Sequence, residues 1–249
     1  MTTTREPTAV RADTAAPAGS AATGDAVAPA GATADGRPGL LEVDGLTVRF
    51  ELRDAVVQAV TDLHLTIHPG ELLAVVGESG CGKSVLAHAL LGLLPGNATV
   101  TGHAHLRPPT GAQVDLVNSS ERHLARAVRG RAVGLVPQSP ATALTPVRTG
   151  RRLLEETLRA HGRTRREAPA AAERVADDVG LDPADLDRYA HELSGGMAQR
   201  LATALALAPD PPLLLADEPT TVTGHAHLRP PTGAQVDLVN SSERHLARA

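Results

Sequence analysis

The chain has 249 residues, a formal net charge of −4, a single cysteine and 1% aromatic side chains. That length can bury a sizeable core as one large domain or two small ones, and the charge gives no electrostatic ground for a nucleic-acid partner or an anionic membrane surface. With Cys81 as the only thiol no disulfide can close within the chain, which suits a reducing compartment; no apolar run approaches a membrane span, and the first residues lack the apolar segment of a signal peptide.

Residues 1–38 are rich in Ala, Thr, Pro and Gly without a hydrophobic period, and are expected to form a disordered tail, with order beginning near Leu40. Leu41-Glu42-Val43-Asp44-Gly45-Leu46-Thr47-Val48-Arg49-Phe50 partly alternates, as a half-buried strand does. A second strand over Val56–Ile67 ends at the turn signal Pro69-Gly70. Phe50, the only phenylalanine, suits either stacking on a nucleotide base or a place in the core, and the sequence does not choose between them.

The apolar run Leu72-Leu73-Ala74-Val75-Val76 reads as a buried parallel strand. It leads into Gly77-Glu78-Ser79-Gly80-Cys81-Gly82-Lys83-Ser84, the pattern G-x-x-x-x-G-K-S, and then into a helix at Val85-Leu86-Ala87-His88-Ala89-Leu90-Leu91. Strand, glycine loop and helix in that order define a phosphate-binding loop. Its glycines let backbone N–H groups converge on an anion, and the helix N-terminus adds partial positive charge. Lys83 would reach the β- and γ-phosphates, and the Ser84 hydroxyl would ligate Mg²⁺. Lys83 is the only lysine in a chain whose other strong bases are all Arg.

Pro95-Gly96 then breaks the chain, Ala98–Leu106 reads as extended, and Ser119-Ser120-Glu121-Arg122 starts a short helix with capping chemistry. Ala132-Val133-Gly134-Leu135-Val136 is a short apolar strand running into Pro137-Gln138-Ser139-Pro140. Residues 151–189 turn helical and charged, with Leu153, Leu154, Thr157 and Leu158 on one face, and read as a small helical subdomain inserted in an α/β core. His191-Glu192-Leu193-Ser194-Gly195-Gly196-Met197 precedes an apolar helix over residues 201–208. Leu213-Leu214-Leu215-Ala216-Asp217-Glu218 reads as a buried strand ending in two carboxylates. One such acid can hold Mg²⁺ through water while the next acts as general base on an attacking water.

Taken together and in this order, the motifs resemble those of the ATP-binding cassette family over about residues 40–221. Phe50 stands at the aromatic-loop position, and residues 77–84 form Walker A. Gln138 is the Q-loop glutamine, Leu193-Ser194-Gly195-Gly196 the signature, and residues 213–218 Walker B. The stretch from Pro137 to Val147, together with Met197 after the signature and Glu218-Pro219-Thr220-Thr221, is similar to the ATPase subunits of bacterial peptide and nickel importers.

That resemblance implies an α/β P-loop NTPase fold with an antiparallel β subdomain and an inserted α-helical subdomain at about residues 140–193, the whole nucleotide-binding domain spanning 39–221. It implies ATP held by Phe50, Gly77, Ser79, Gly80, Cys81, Gly82, Lys83, Ser84 and Val85. Across a dimer of ATPase subunits, identical or paralogous, Ser194, Gly195 and Gly196 of the other subunit complete the site. Mg²⁺ falls to Ser84, Gln138 and Asp217, and the catalytic roles to Glu218 and Gln138. It further implies a peripheral place on the cytoplasmic face of the membrane, with permease subunits as partners and a solute-binding protein as an indirect one.

Beyond Thr221 the family pattern stops, and residues 221–249 repeat residues 99–127 letter for letter. Such a distant identical copy is unlike a repeat architecture and favours an assembly or recombination event over a functional duplication. Val222, Thr223 and Gly224 occupy places where the family continues Ala-Leu-Asp, and no copied histidine has the context of the family's switch histidine. The last core strands are therefore expected to be missing, including the one between the P-loop and Walker B strands. Gln235-Val236-Asp237-Leu238-Val239 is short and carries Asp237 at its centre, so it is not expected to fill the gap. Two further readings stand beside the transporter: a truncated, catalytically defective nucleotide-binding protein, and a soluble ABC ATPase outside transport. His103-Ala104-His105 puts two rings on one strand face, but with no third ligand in view it reads as a solvated face. Cys81 reads as a tolerated small residue in the loop rather than a redox sensor.

Overall fold

The computed structural model describes residues 8–11, 38–217 and 234–240. In chain order, strand β1 (Thr8–Arg11) precedes an antiparallel pair, β2 (Leu41–Glu51) and β3 (Val56–Ile67). Strand β4 (Leu72–Gly77) leads through the glycine loop into α1 (Lys83–Leu90), followed by β5 (Ala98–Leu106) and the two-residue β6 (Val114–Asp115). The short α2 (Glu121–His123) has Ser120 as its cap, the hydroxyl accepting from the His123 N–H, and runs into a π-helical turn at Leu124–Val128. Strand β7 (Val133–Val136) is followed by α3 (Pro140–Ala143), α4 (Gly150–Ala160), α5 (Ala168–Asp178), two 3-10 turns, α6 (Gly195–Leu207), β8 (Leu213–Asp217) and β9 (Ala234–Asn240).

These elements form two sheets. The first is parallel, in the order β1-β4-β9-β8-β7, and the second antiparallel, β3-β2-β5-β6. The alternation read in β2 is physical: Leu41, Val43, Leu46 and Val48 are buried while the strand residues between them are not. One apolar cluster joins the two sheets through α1, with Leu41, Leu46 and Ile67 meeting Leu73, Val75, Leu86, Leu90, Leu213 and Leu215. On the other face of β8, Leu214 and Ala216 pack with Val136 and Ala206. Strand β8 is thus buried on both faces, which is why it reads as an unbroken apolar run. Gly134 lets α6 lie close on β7, since a Cβ there would stand 2.7 Å from the Ala206 carbonyl oxygen.

A separate cluster holds the helical insertion. Leu154 and Leu158 of α4 and Ala168, Ala172 and Ala176 of α5 pack with Leu181, Leu186 and Leu201. Small alanines on α5 let the helices approach closely, while the charged side chains stay outside. Arg151 bridges the cluster's rim by ion pairs to Asp187 (2.7 Å) and Glu173 (3.0 Å).

Two expectations need correction. The segment assigned to a disordered tail contains β1, whose backbone pairs in parallel with β4 from Thr8 opposite Leu73 to Arg11 opposite Val76. The place between the P-loop strand and β8 is not left open either: β9, drawn from the copied segment, lies there. Val236 stands opposite both Leu73 of β4 and Leu215 of β8. The reason is the backbone itself. Buried strand edges leave N–H and C=O groups that must find partners, and any extended segment within reach meets that demand whatever its side-chain pattern.

A test follows directly. Val236→Pro removes a backbone donor from a strand paired on both sides. The expected result is a loss of about 2–4 kcal/mol in urea unfolding. Unfolding within ~0.5 kcal/mol of the parent chain would show that β9 does not hold the sheet together.

Candidate functional site

The loop between β4 and α1 owes its shape to glycine. Gly80 and Gly82 have φ of +83° and +95°, the left-handed region that other residues enter at a cost. Gly82 is needed for space as well, because a Cβ there would collide with the carbonyl oxygen of Ala59 on β3. The Cys81 N–H closes a turn onto the Glu78 carbonyl at 3.2 Å. Gly82 then serves as the N-cap of α1, a helix with no side-chain cap and no acidic residue in its first turn. Its opening N–H groups are thus offered to an anion and not taken up by a capping carboxylate.

Lys83 lies inside this loop, only 6% exposed. Its Nζ donates to the carbonyls of Gly77 (2.8 Å) and Glu78 (2.9 Å) and stands 3.5 Å from the Cys81 Sγ. Among the described residues no carboxylate lies within ion-pairing distance of it. A buried ammonium held by neutral carbonyls is a cation whose natural complement is an anion entering the loop. The residues present therefore fit a phosphate chain.

The metal positions read from the sequence also meet in part. Ser84 Oγ donates to Asp217 Oδ1 at 2.9 Å, across 133 positions of sequence. Asp217 ends β8 and is 5% exposed, so this half-buried hydroxyl and this buried carboxylate form a small, all-oxygen edge next to the loop. That donor set suits Mg²⁺, a hard cation that takes one or two protein oxygens together with phosphate and water.

The other predicted site residues lie on several different elements. Ser79 and Gly80 are at the exposed crown of the loop, and Val85 lies in the first turn of α1. Phe50 is half-buried on β2, opposite Val57 of β3, so the same strand pair carries both the aromatic and the Ala59 carbonyl that borders Gly82. Gln138 is exposed just after β7, where the chain turns toward the helical cluster. Ser194 caps α6 by accepting from the Met197 N–H at 3.3 Å, and Ser194 and Gly195 are exposed at the helix's N-terminal end, with Gly196 one residue further in. Glu218 lies outside the described residues, as do Val222, Thr223 and Gly224.

One residue escaped sequence reading. Gln199 is 3% exposed and its Nε2 donates to the Pro137 carbonyl at 3.4 Å, tying α6 to the residue before Gln138. A glutamine on the buried face of an apolar helix, five positions after Ser194, was the available signal.

Comparison with known proteins gives a consistent picture. A family model described as ABC transporter matches residues 60–221. Over 190 residues, 74% of this chain, it is 43% identical to a protein of Brucella melitensis biotype 1 provisionally named a peptide import ATP-binding protein. It is 42% identical over 185 residues to the oligopeptide transport ATP-binding protein OppD of Salmonella typhimurium, covering 73% of this chain and 53% of that protein. The glutathione import ATP-binding protein GsiA of the same organism is 41% identical over 187 residues, 73% of this chain and 30% of that protein. The chain spans about half the length of the first of these relatives, 56%. Among solved structures, the dimeric ATP-binding cassette MJ0796, in a post-hydrolysis state bound to ADP and Pi, superposes with a TM-score of 0.68 at 22% identity, covering 80% of this chain and 87% of that one. At that identity the superposition speaks for the fold.

The loop geometry yields a prediction. Gly82→Ala adds a methyl group at φ +95° against the Ala59 carbonyl, and is expected to cost about 2–3 kcal/mol of stability and to abolish anion binding at the loop. Wild-type unfolding in urea would contradict the close approach of β3 to the loop.

Proposed function

This chain belongs to the ABC transporter family, and from that premise we propose that it is the ATP-binding subunit of an importer, coupling ATP binding and hydrolysis to the passage of peptides or similar small solutes through a membrane permease. The observation that carries this reading is the meeting of Lys83, Ser84 and Asp217 at one end of the parallel sheet. The relatives named for peptide, oligopeptide and glutathione import support the solute class.

In this reading the loop N–H groups from Gly77 to Ser84 and the α1 N-terminus bind the phosphates, with Lys83 turning from the Gly77 and Glu78 carbonyls toward the β- and γ-phosphates. Mg²⁺, when bound, supplies neutralisation of the phosphate charge. Ser84 and Asp217 hold it, with Gln138 as a further ligand that relays the state of the site to the helical insertion. Glu218, next to Asp217 in sequence, accepts the proton of the attacking water. Phe50 stacks on the base. Ser194, Gly195 and Gly196 of a second subunit, identical or paralogous, close over the γ-phosphate. The exposed ends of α6 and of the loop at the start of α1 are suited to such a joint site. Val147 and Tyr189 are exposed large side chains on the helical insertion, and offer apolar footing for a permease at the cytoplasmic face of the membrane. A solute-binding protein would act through that permease. Among the described residues no helix is long and apolar enough to cross a membrane.

A second reading rests on Val222, Thr223 and Gly224, which replace the family's Ala-Leu-Asp. On that reading the chain binds ATP with little or no turnover.

Both are tested by measuring ATP binding and phosphate release on the same preparations. Lys83→Ala is expected to weaken ATP binding by about 10–100-fold, the worth of a lost charge-assisted contact. Glu218→Gln is expected to keep binding and slow hydrolysis by ~10²–10⁴. A parent chain that binds ATP yet turns over no faster than Glu218→Gln supports the second reading. Undiminished binding by Lys83→Ala defeats both.

A further inference from the structure

Outside the phosphate loop, the antiparallel sheet gathers a second set of donor groups. His103 and His105 sit two apart on β5 and so share a face, with ring centroids 5.5 Å apart and planes 14° from parallel. The sequence shows no third partner, but the fold supplies one. Strand β6 pairs with β5 so that Asp115 lies directly opposite His105. One ligand atom from each of His103, His105 and Asp115 falls within 4.8 Å of the other two.

The carboxylate is firmly positioned. Asp115 Oδ2 is 2.7 Å from His103 Nδ1 and accepts from Asn118 Nδ2 at 2.7 Å. Its Oδ1 accepts from the backbone N–H groups of Ala104 (3.3 Å), Val117 (3.1 Å) and Asn118 (3.4 Å). Partial burial pushes its pKa up, but the hydrogen bonds from His103, Asn118, Ala104 and Val117 outweigh that and hold it at about 2. The Nδ1 of His105, by contrast, is buried with no hydrogen-bond partner among the described residues. An unsatisfied buried polar atom of this kind calls for an explanation, and a missing ion is one of the recognised ones.

We propose that His103, His105 and Asp115 form a three-ligand site for Zn²⁺, with water as the fourth ligand. Two imidazoles with one carboxylate make a nitrogen-rich set that suits zinc better than magnesium or calcium, which take oxygen ligands. Zinc bonds of ~2.0–2.1 Å place tetrahedral ligand atoms about 3.3 Å apart, so the cluster closes onto the ion by small side-chain rotations. His103 is 58% exposed, which gives the ion a way in. The site would clamp the two-residue β6, and the Asp115–Asn118 turn after it, onto β5. It does not touch Lys83, Ser84 or Asp217.

The test uses the full chain, stripped with a chelator and titrated with ZnCl₂ alone by calorimetry, with thermal unfolding in parallel. The expected result is one tight ion per chain and a rise in Tm with zinc. Asp115→Asn and His105→Ala should each weaken the affinity at least ~100-fold and abolish that rise, with ATP binding unchanged. His103→Ala, at the most exposed of the three side chains, should do the same and guards against misfolding of the other two. The copied residues 221–249 contain the same letters, so His227→Ala and Asp237→Asn serve as controls that should leave zinc affinity within about threefold. Undiminished binding in His103→Ala and Asp115→Asn overturns the proposal, as does loss confined to the His227→Ala or Asp237→Asn chain, or a parent chain that binds zinc only at millimolar concentration.

Discussion

The hydrogen-bonding of β4 governs the rest of the structure. A strand that delivers a phosphate loop must be held rigidly, and in a parallel sheet it is held along both edges by backbone N–H and C=O groups. Here β9 occupies one edge and β1 the other. Both are segments whose side-chain patterns did not announce a core strand. The loop's position relative to Asp217 depends on this arrangement, because β9 is the spacer between β4 and β8. The Ser84–Asp217 hydrogen bond spans that spacer, so it also reports that the sheet has the right number of strands between the two motifs.

Helix α6 couples the two cores. Its Leu201 and Ala204 pack with the helical insertion, while Ala206 packs with Val136, Leu214 and Ala216 of the parallel sheet. Gln199 adds a polar tie to the Pro137 carbonyl, one residue before Gln138. A displacement of the helical insertion therefore pulls on β7 and on the segment after it, through contacts that are buried and close-packed. A rigid link of this kind is what a machine needs if events at the loop are to be felt at an exposed surface such as Val147.

Local features were legible in the sequence and contacts between distant segments were not. The strand, loop and helix around Lys83 follow from glycine placement and apolar runs, and β8 from five consecutive buried residues. The Ser120 cap and the β2–β3 pair were equally readable. By contrast, nothing in His103-Ala104-His105 indicates that Asp115 will stand opposite, since that depends on the β5–β6 register. Gln199 was hidden because a single polar residue does not change a helix's apolar period. Asp237 hides β9 in the sequence, because a polar side chain at the centre of a segment gives no sign of the backbone's need for partners.

The repeat makes this last point as a controlled comparison. Ala-Gln-Val-Asp-Leu-Val-Asn occurs at residues 112–118 and again at 234–240 with no change of letter. In the first copy only Val114 and Asp115 are extended, and the chain then turns, with Asp115 accepting from the N–H groups of Val117 and Asn118. In the second all seven residues form β9, paired in parallel on both sides. Local propensity is identical by construction, so it cannot decide between the two outcomes. An aspartate-centred turn gains two backbone hydrogen bonds to one side chain, whereas a strand between two others completes two ladders and relieves the exposed edges of both neighbours. Where a free pair of edges is at hand the ladders win; where only the single edge of β5 is offered, the turn does. The same comparison bears on the zinc site: in the first copy the register sets Asp115 opposite His105, whereas in the second Asp237 stands opposite Ala74 and Ala216.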